Sequence, residues 1–429
     1  VTTCAPSKDR RVDFASRLLM PASAFAFFVV ILGSNAPTPL LPGYRAELGM
    51  SPLNVAFAFS AYFVGLVAVL ALLARTRLTR FARMLLPFAV GLGASADLMF
   101  LAIDDDPTLL YVGRVVTGAA VALATGPAAA LMLVGGGERG RAMIASVSIL
   151  GGCLGLILSV CVVAWAPMPG RTIYYVHLGL CLAASAALMV ALVRRRAALR
   201  LALRVPQTDV DSGPRRRWST TVTAYAGGAS GWIAGALAVG TLPVALVEAA
   251  RVESLSVAAL SGIVCLVAAA VTQLTLNSRG VVVPLWIGLS ILTAGAIVVA
   301  AGIAYGNLWV VLAGCLLSGL GQAPSFATGL RVLSRGLGAV AQGRTASAYS
   351  CVCYSVAGVF ALGAGATASF WGIRNGTIAI VGFYGLSCGV LAMLAAADMR
   401  IGQRVSAVQA RLASAANPLN QPGTPVSRM

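Results

Sequence analysis

Apolar residues fall in long blocks along this chain, separated by short polar or arginine-bearing connections. A helix rises about 1.5 Å per residue, so about 20 consecutive apolar residues cross a hydrocarbon layer ~30 Å thick. Blocks of that length recur from end to end. They predict twelve membrane-spanning helices, near residues 18–41, 52–74, 85–103, 108–134, 142–166, 172–193, 221–247, 256–277, 281–303, 308–333, 346–369 and 377–397. The first block is too long for the apolar core of a cleavable signal and has no clear cleavage site, so it is read as a span.

The connection over 194–220, "RRRAALRLALRVPQTDVDSGPRRRWST", is the long one and carries eight arginines. It divides the chain into six spans plus six. The expected organisation is an N-terminal bundle (1–193), a basic linker (194–220), a C-terminal bundle (221–397) and a disordered polar tail (398–429). Shifting the sequence by 203 residues lays Gly140-Arg141 over Gly343-Arg344, Gly118 over Gly321, Gly155 over Gly358 and Ser51 over Ser254. The shared offset supports a duplicated six-helix unit, the construction that places a transporter's substrate site at the repeat interface. The fold class is all-α: twelve transmembrane helices as two six-helix repeats.

Composition agrees. Hydrophobic residues make up 59% and charged residues only 10% of the chain, with a mean hydropathy of +0.89; a soluble domain carries about 25% charged residues. The net charge of +18 changes the picture only through its placement. Of 31 Lys and Arg residues, 26 fall in the termini and alternate connections, and four (Arg45, Arg171, Arg251, Arg374) in the opposite set. That asymmetry puts both termini in the cytoplasm. No basic patch is interleaved with aromatic residues, so nucleic acid is not an expected partner. The nine cysteines show no metal-ligand spacing and read as small core filler. One histidine leaves almost no material for a catalytic triad, a zinc site or a haem pocket. Gly135-Gly136-Gly137 lacks the Lys-Ser/Thr of a phosphate loop and reads as a turn. The expectation is a non-enzyme without cofactor or metal, drawing any pumping from an ion gradient.

Asp97 and Arg114 stand out inside apolar spans. Asp97 lies seven residues before Asp104 and Arg114 eight after Asp106, which sets each about 10–12 Å from the turn joining their helices. Equal depth on adjacent helices permits a pair, and a charge near the bilayer centre costs at least about 2.5–3.5 kcal/mol unless paired or facing water. Three readings stay open: a fixed tie between the third and fourth helices, two charges reaching separately toward the outer interface, or a cavity-lining arginine that binds an anion or tunes a proton-carrying carboxylate. Ser34 and Asn35 precede Pro37 and Pro39 in the first span, where prolines free backbone carbonyls. His177, in "IYYVHLGL", is expected at the outer interface beside Tyr174 and Tyr175.

Several stretches resemble the major facilitator superfamily. "YRAELGMSP" (44–52) looks like the outer loop before the second helix of drug- and metabolite-exporting members. "RVVTGAA" (114–120) matches their fourth-helix Arg-x-x-x-Gly motif, and the pattern including "YVHL" (175–178) resembles actinobacterial members. Other motifs depart. "RTRLTRFAR" (75–83) keeps Arg80 and Arg83 of the family's conformational loop but has Thr79 where an Asp stands, and "GGCLGL" (151–156) carries Leu156 in place of the antiporter proline.

The resemblance implies that helices one, four, seven and ten surround a cavity. It favours Arg114, Asn35 and Gln322 as path residues, with Asp97, Ser34, Tyr225, Trp232, Gln273, Tyr349 and Tyr354 as further candidates. It implies a monomeric inner-membrane secondary transporter, exporting a small, partly apolar compound by proton antiport. The lost motifs keep a facilitator or importer in play, and a transport-dead sensor or assembly protein as well.

Overall fold

The computed structural model describes residues 8–76, 81–194, 217–335 and 339–415. Every regular element among them is helical, and twelve helices are long and apolar enough to cross a membrane. We label these spans α1 (Leu18–Glu47), α2 (Pro52–Leu73), α3 (Ala82–Leu101), α4 (Thr108–Gly136), α5 (Val147–Trp165), α6 (Pro169–Val193), α7 (Trp218–Glu248), α8 (Leu255–Ser278), α9 (Leu285–Tyr305), α10 (Leu308–Ser334), α11 (Thr345–Trp371) and α12 (Ile373–Ile401). An even number of spans returns the chain to its starting side. We call that side the terminal end and the other the far end.

Helices α1–α6 pack on one another, as do α7–α12, and the two halves meet through α2 against α11 and α5 against α8. Ser51 and Ser254, paired by the 203-residue offset, play the same part. Each side-chain hydroxyl caps a helix N-terminus at the far end, accepting from the N–H of Asn54 (3.1 Å) and of Val257 (3.4 Å). Between Glu47 and that first cap the chain turns at Gly49, whose φ of +59° favours a residue without a Cβ. At the α3–α4 turn, Asp106 accepts from the backbone N–H (2.9 Å) and the hydroxyl (2.8 Å) of Thr108. Those donors hold its carboxyl below the usual carboxylate range.

Two expectations are corrected here. Gly135–Gly137 is no turn: all three residues have helical backbone, and the chain doubles back only beyond them. The glycines serve close packing instead, since a Cβ on Gly135 would strike the backbone of Met20 and one on Gly136 the Met20 sulfur. The chain reverses near Gly140, where a Cβ would collide with the Met132 carbonyl. The last helix, which was expected to give way to a disordered tail at Asp398, continues to Ala415. Residues 195–216 of the linker and 416–429 of the tail lie outside the described residues.

Candidate functional site

The site begins where α1 stops being an α-helix. Regular α-helix ends at Ser34, a 3-10 turn covers Thr38–Leu40, and α-helix resumes at Leu41. Pro37 and Pro39 have no N–H to give, and the remaining donors shift by one residue. Thr38 N–H turns to Asn35 O (3.2 Å) and Leu40 N–H to Pro37 O (3.1 Å). In an unbroken helix those donors would have served Ser34 O and Ala36 O. Both freed carbonyls find side chains. Ser34 O receives Arg114 Nη1 at 2.8 Å, and Ala36 O receives the hydroxyl of Ser159 on α5 at 2.8 Å. The second half repeats the device less sharply. Helix α7 widens into a π segment at Leu237–Thr241 ahead of Pro243, and Ser261 of α8 donates to Ala238 O at 2.9 Å.

Arg114 therefore works as a clamp. Besides Ser34 O it donates from Nε to Ala58 O and from Nη2 to Phe59 O, both at 3.3 Å on α2. Its guanidinium carbon lies 5.2 Å from the Tyr62 ring centre and 5.7 Å from that of Phe59, and the residue is 1% exposed. One turn along α4, Gly118 presses on the Tyr62 carbonyl so closely that a Cβ would overlap it. That explains the Arg-x-x-x-Gly spacing: glycine brings the α4 backbone onto α2, and arginine one turn away bonds the α2 carbonyls.

The pairing of Arg114 with Asp97 that their equal depth permits is not formed. Asp97, 2% exposed on α3, instead faces α6, where its Oδ2 lies 2.7 Å from His177 Nδ1. The other ring nitrogen of His177, Nε2, donates to Val29 O on α1 at 2.9 Å. His177 is thus no interfacial residue; it is 2% exposed and occupies a niche that Gly33 opens, where a Cβ would run into the imidazole. The neighbouring Tyr175 does face outward, while Tyr174 is buried and shares a hydrogen bond of 2.9 Å with Tyr44. Equal depth was a sound premise, but depth does not fix which side of a helix a residue occupies. The i, i+4 pair His177 and Cys181 was the available signal for a polar stripe on α6 turned toward α3. Asp97, His177 and Cys181 bring donor atoms within 4.8 Å of one another, yet both imidazole nitrogens are already committed, which leaves no ring lone pair for a cation.

Between the halves, aromatic side chains gather from four helices. Trp232 (α7) lies 4.3 Å from Tyr354 (α11) and 5.9 Å from Phe326 (α10), ring centre to ring centre. Phe326 neighbours Tyr349 at 5.1 Å, Tyr349 neighbours Tyr225 at 5.6 Å, and Tyr354 meets Phe63 of α2 at 6.1 Å. The Tyr349 hydroxyl donates to Phe326 O at 2.9 Å. Of the sequence candidates, Tyr225, Trp232, Tyr349 and Tyr354 converge here. Gln322 stands on α10 against Gly231 and Gly235 of α7, with Cys265 Sγ 3.6 Å from its Oε1. Asn35 Nδ2 donates to Gly152 O on α5 at 2.9 Å, and Ser34 Oγ to Ile31 O at 2.6 Å. Gln273 bonds Asn277 within α8 and joins none of these contacts. Arg83 is half-buried in the first turn of α3, and Arg80 lies outside the described residues. Phe63 and Phe326 went unnoticed in the sequence because an aromatic residue in an apolar span carries no mark of the face it occupies. A groove of about 520 Å³ continues from Tyr225 along α7, α11 and α12, walled by Ile233, Val356, Phe360, Phe383 and Tyr384.

The far end is fastened across the halves. Arg45 of α1 pairs with Glu248 of α7, and Leu53 N–H bonds Ser369 Oγ at 3.2 Å. Ser60 donates to Gly358 O at 3.2 Å, and Gly365 packs on Pro52 and Ala56. The family model of the Major Facilitator Superfamily matches this chain over residues 23–362. The chain belongs to that superfamily. Solved structures agree on the fold. The nucleoside transporter NupG (D323A mutant) superposes with a TM-score of 0.62 at 12% identity, covering 89% of this chain and 99% of its own. Tetrameric PepTSo2 gives 0.64 at 10% identity, covering 91% and 99%. A bacterial homologue of the human lysosomal transporter Spinster, inward-facing and occupied, gives 0.59 at 12%, covering 88% and 96%. No curated protein matches the sequence. A major facilitator protein is a transporter, not an enzyme, and this one is a multi-pass membrane protein with a small molecule as its cargo.

Proposed function

We propose that this chain is a secondary active transporter of the inner membrane that exports a small, partly apolar compound in exchange for protons. The observation that carries the reading is the aromatic seam of Phe63, Trp232, Phe326, Tyr349 and Tyr354, contributed by helices of both halves. A solute held among those rings touches both halves and biases which end stands open. Among the described residues the seam offers hydroxyls and π-faces but no carboxylate. The nearby cation Arg114 is bonded to a carbonyl at each of its three guanidinium nitrogens and lies against two rings. Such a lining favours a neutral solute with a planar or apolar part. Similar solved structures include a nucleoside transporter and a peptide transporter, consistent with a small organic solute. The arginine-rich set of connections orients the terminal end toward the cytoplasm, and the fastened far end is then the outer gate.

Proton movement in everted vesicles containing the protein tests this reading. Adding solutes from a panel of nucleosides, dipeptides and planar aromatic compounds should trigger proton release from the vesicle lumen for at least one of them. Flux of labelled solute with no proton signal would make the chain a facilitator. Silence in both assays across the panel would favour the sensor reading.

A further inference from the structure

The buried pair on α3 and α6 has a hydrogen count that can be worked out from its partners. Val29 O can only accept, so the Nε2 of His177 that meets it at 2.9 Å carries a hydrogen. At 2.7 Å, Nδ1 and Asp97 Oδ2 also need a hydrogen between them, because two lone pairs at that distance repel. The imidazole and carboxyl together thus hold one dissociable proton, whether written as neutral acid with neutral imidazole or as carboxylate with imidazolium. Both forms are electrically neutral as a pair, which is what a site this deep in hydrocarbon requires. Losing the proton leaves one uncompensated negative charge.

From these contacts we infer that Asp97 and His177 form the proton-binding site of the transport cycle, one proton per chain. The inference rests on the secondary-transport reading and moves the coupling from Arg114, whose polar atoms are already bonded, to a pair that can change charge. Release is a simple dissociation: the shared proton leaves to water in an opened pathway, and Asp97 stays as carboxylate beside a neutral imidazole. Because Nε2 is tied to Val29 on α1, that change of charge acts on the helix that also bears the broken segment Ser34–Leu40 clamped by Arg114. Among the described residues, the titratable and charged groups facing the pair are few. On α6 they are Cys181, whose sulfur lies 3.9 Å from Nδ1 and 3.7 Å from Nε2, and Tyr174; on α1, Tyr44, bonded to Tyr174; on α4, Arg114, which acts on Tyr174 across the same space. Within this group only Arg114 adds a fixed charge, and its sign favours the deprotonated pair.

His177 is the sole histidine of the chain, so imidazole-¹⁵N labelling gives one residue's signals without background. In the purified full-length protein we expect Nε2 to be protonated throughout, and Nδ1 to pass through a one-proton transition that Asp97→Asn displaces. The same variant, reconstituted with any solute that the wild type concentrates, should still exchange solute across the membrane but lose the advantage conferred by a proton gradient. Asp97→Glu, which keeps a proton-bearing group, should restore part of that advantage. An identical ¹⁵N titration in wild type and Asp97→Asn would overturn the inference, as would gradient-driven accumulation that survives Asp97→Asn. If Asp97→Asn does not accumulate in the membrane, Asp97→Glu decides by flux: a proton site displaces the pH dependence of gradient-driven transport, and a mere structural tie leaves that dependence unchanged. If no solute is transported even by the wild type, the transport reading fails while the ¹⁵N titration still judges the proton site.

Discussion

The guanidinium of Arg114 lies 2.8 Å from the carbonyl oxygen of Ser34, which is left free because Thr38 N–H turns to Asn35 O. The bond joins α4 to the break in α1, and two further bonds join it to α2. Interhelical hydrogen bonds within membranes contribute about 1 kcal/mol each, so three total about 3 kcal/mol. Arg114→Ala should lower thermal stability in detergent by that order. Arg114→Lys should recover little, because one ammonium cannot span carbonyls on two helices as a planar fork does. A melting series of the two variants beside wild type checks this; a lysine variant as stable as the parent would refute the clamp.

Close packing of α4 on α2 gives a second prediction. A methyl group at Gly118 collides with backbone, the Tyr62 carbonyl, which cannot swing aside as a side chain would. Gly118→Ala should cost about 1–3 kcal/mol, the range for overpacking. Gly91→Ala on α3, where nothing lies within 4 Å, should be neutral or slightly stabilising, since alanine is the better helix former. Matched denaturation of the two variants reads the difference directly.

The niche of His177 yields a third. Gly33→Ala intrudes on the imidazole ring and should displace it from Asp97 or from Val29. The expected result is a changed ¹⁵N spectrum of His177 and a loss of gradient-driven transport, with solute exchange less affected. An unaltered His177 spectrum in Gly33→Ala would show that the niche does not position the ring.

The ion pair of Arg45 and Glu248 bridges the halves at the far end, with both side chains partly exposed. Exposed pairs contribute at most about 1 kcal/mol, so its removal should shift the balance between open and closed far ends rather than unfold the protein. Glu248→Arg should raise labelling of far-end cysteines by membrane-impermeant reagents. The charge swap, with Arg45→Glu added, should return labelling toward the parent level, provided the pair is what holds this end.

Much of the fold was legible because hydrocarbon imposes one rule on every span: enough apolar residues and a satisfied backbone. The match of Ser51 with Ser254 was legible as part of the repeat, while their common role as helix caps appears only in the structure. The broken segment of α1 announced itself through Pro37 and Pro39, and Asn35 was found by that route. What the pattern could not supply was azimuth. Asp97 and Arg114 share a depth, but a rotation of about 100° per residue decides whether a side chain meets α4 or α6, and in a helix that is apolar all round no stripe fixes the rotation. His177 was misplaced on the same ground: its aromatic neighbours suggested an interface, while only the packed α1, α3 and α6 reveal the glycine-lined niche behind it.

Transport through two repeats requires alternation between two states, and the far-end seam offers the most direct measurement of it. Leu53 of α2 and Ser369 of α11 are in hydrogen-bond contact across the halves. Cysteines at both positions, joined by an oxidant in reconstituted vesicles, hold the far end shut. Transport of a solute that the wild type moves should stop on oxidation and return on reduction, while either single cysteine transports throughout. Undiminished transport by the cross-linked protein would contradict alternating access through this seam.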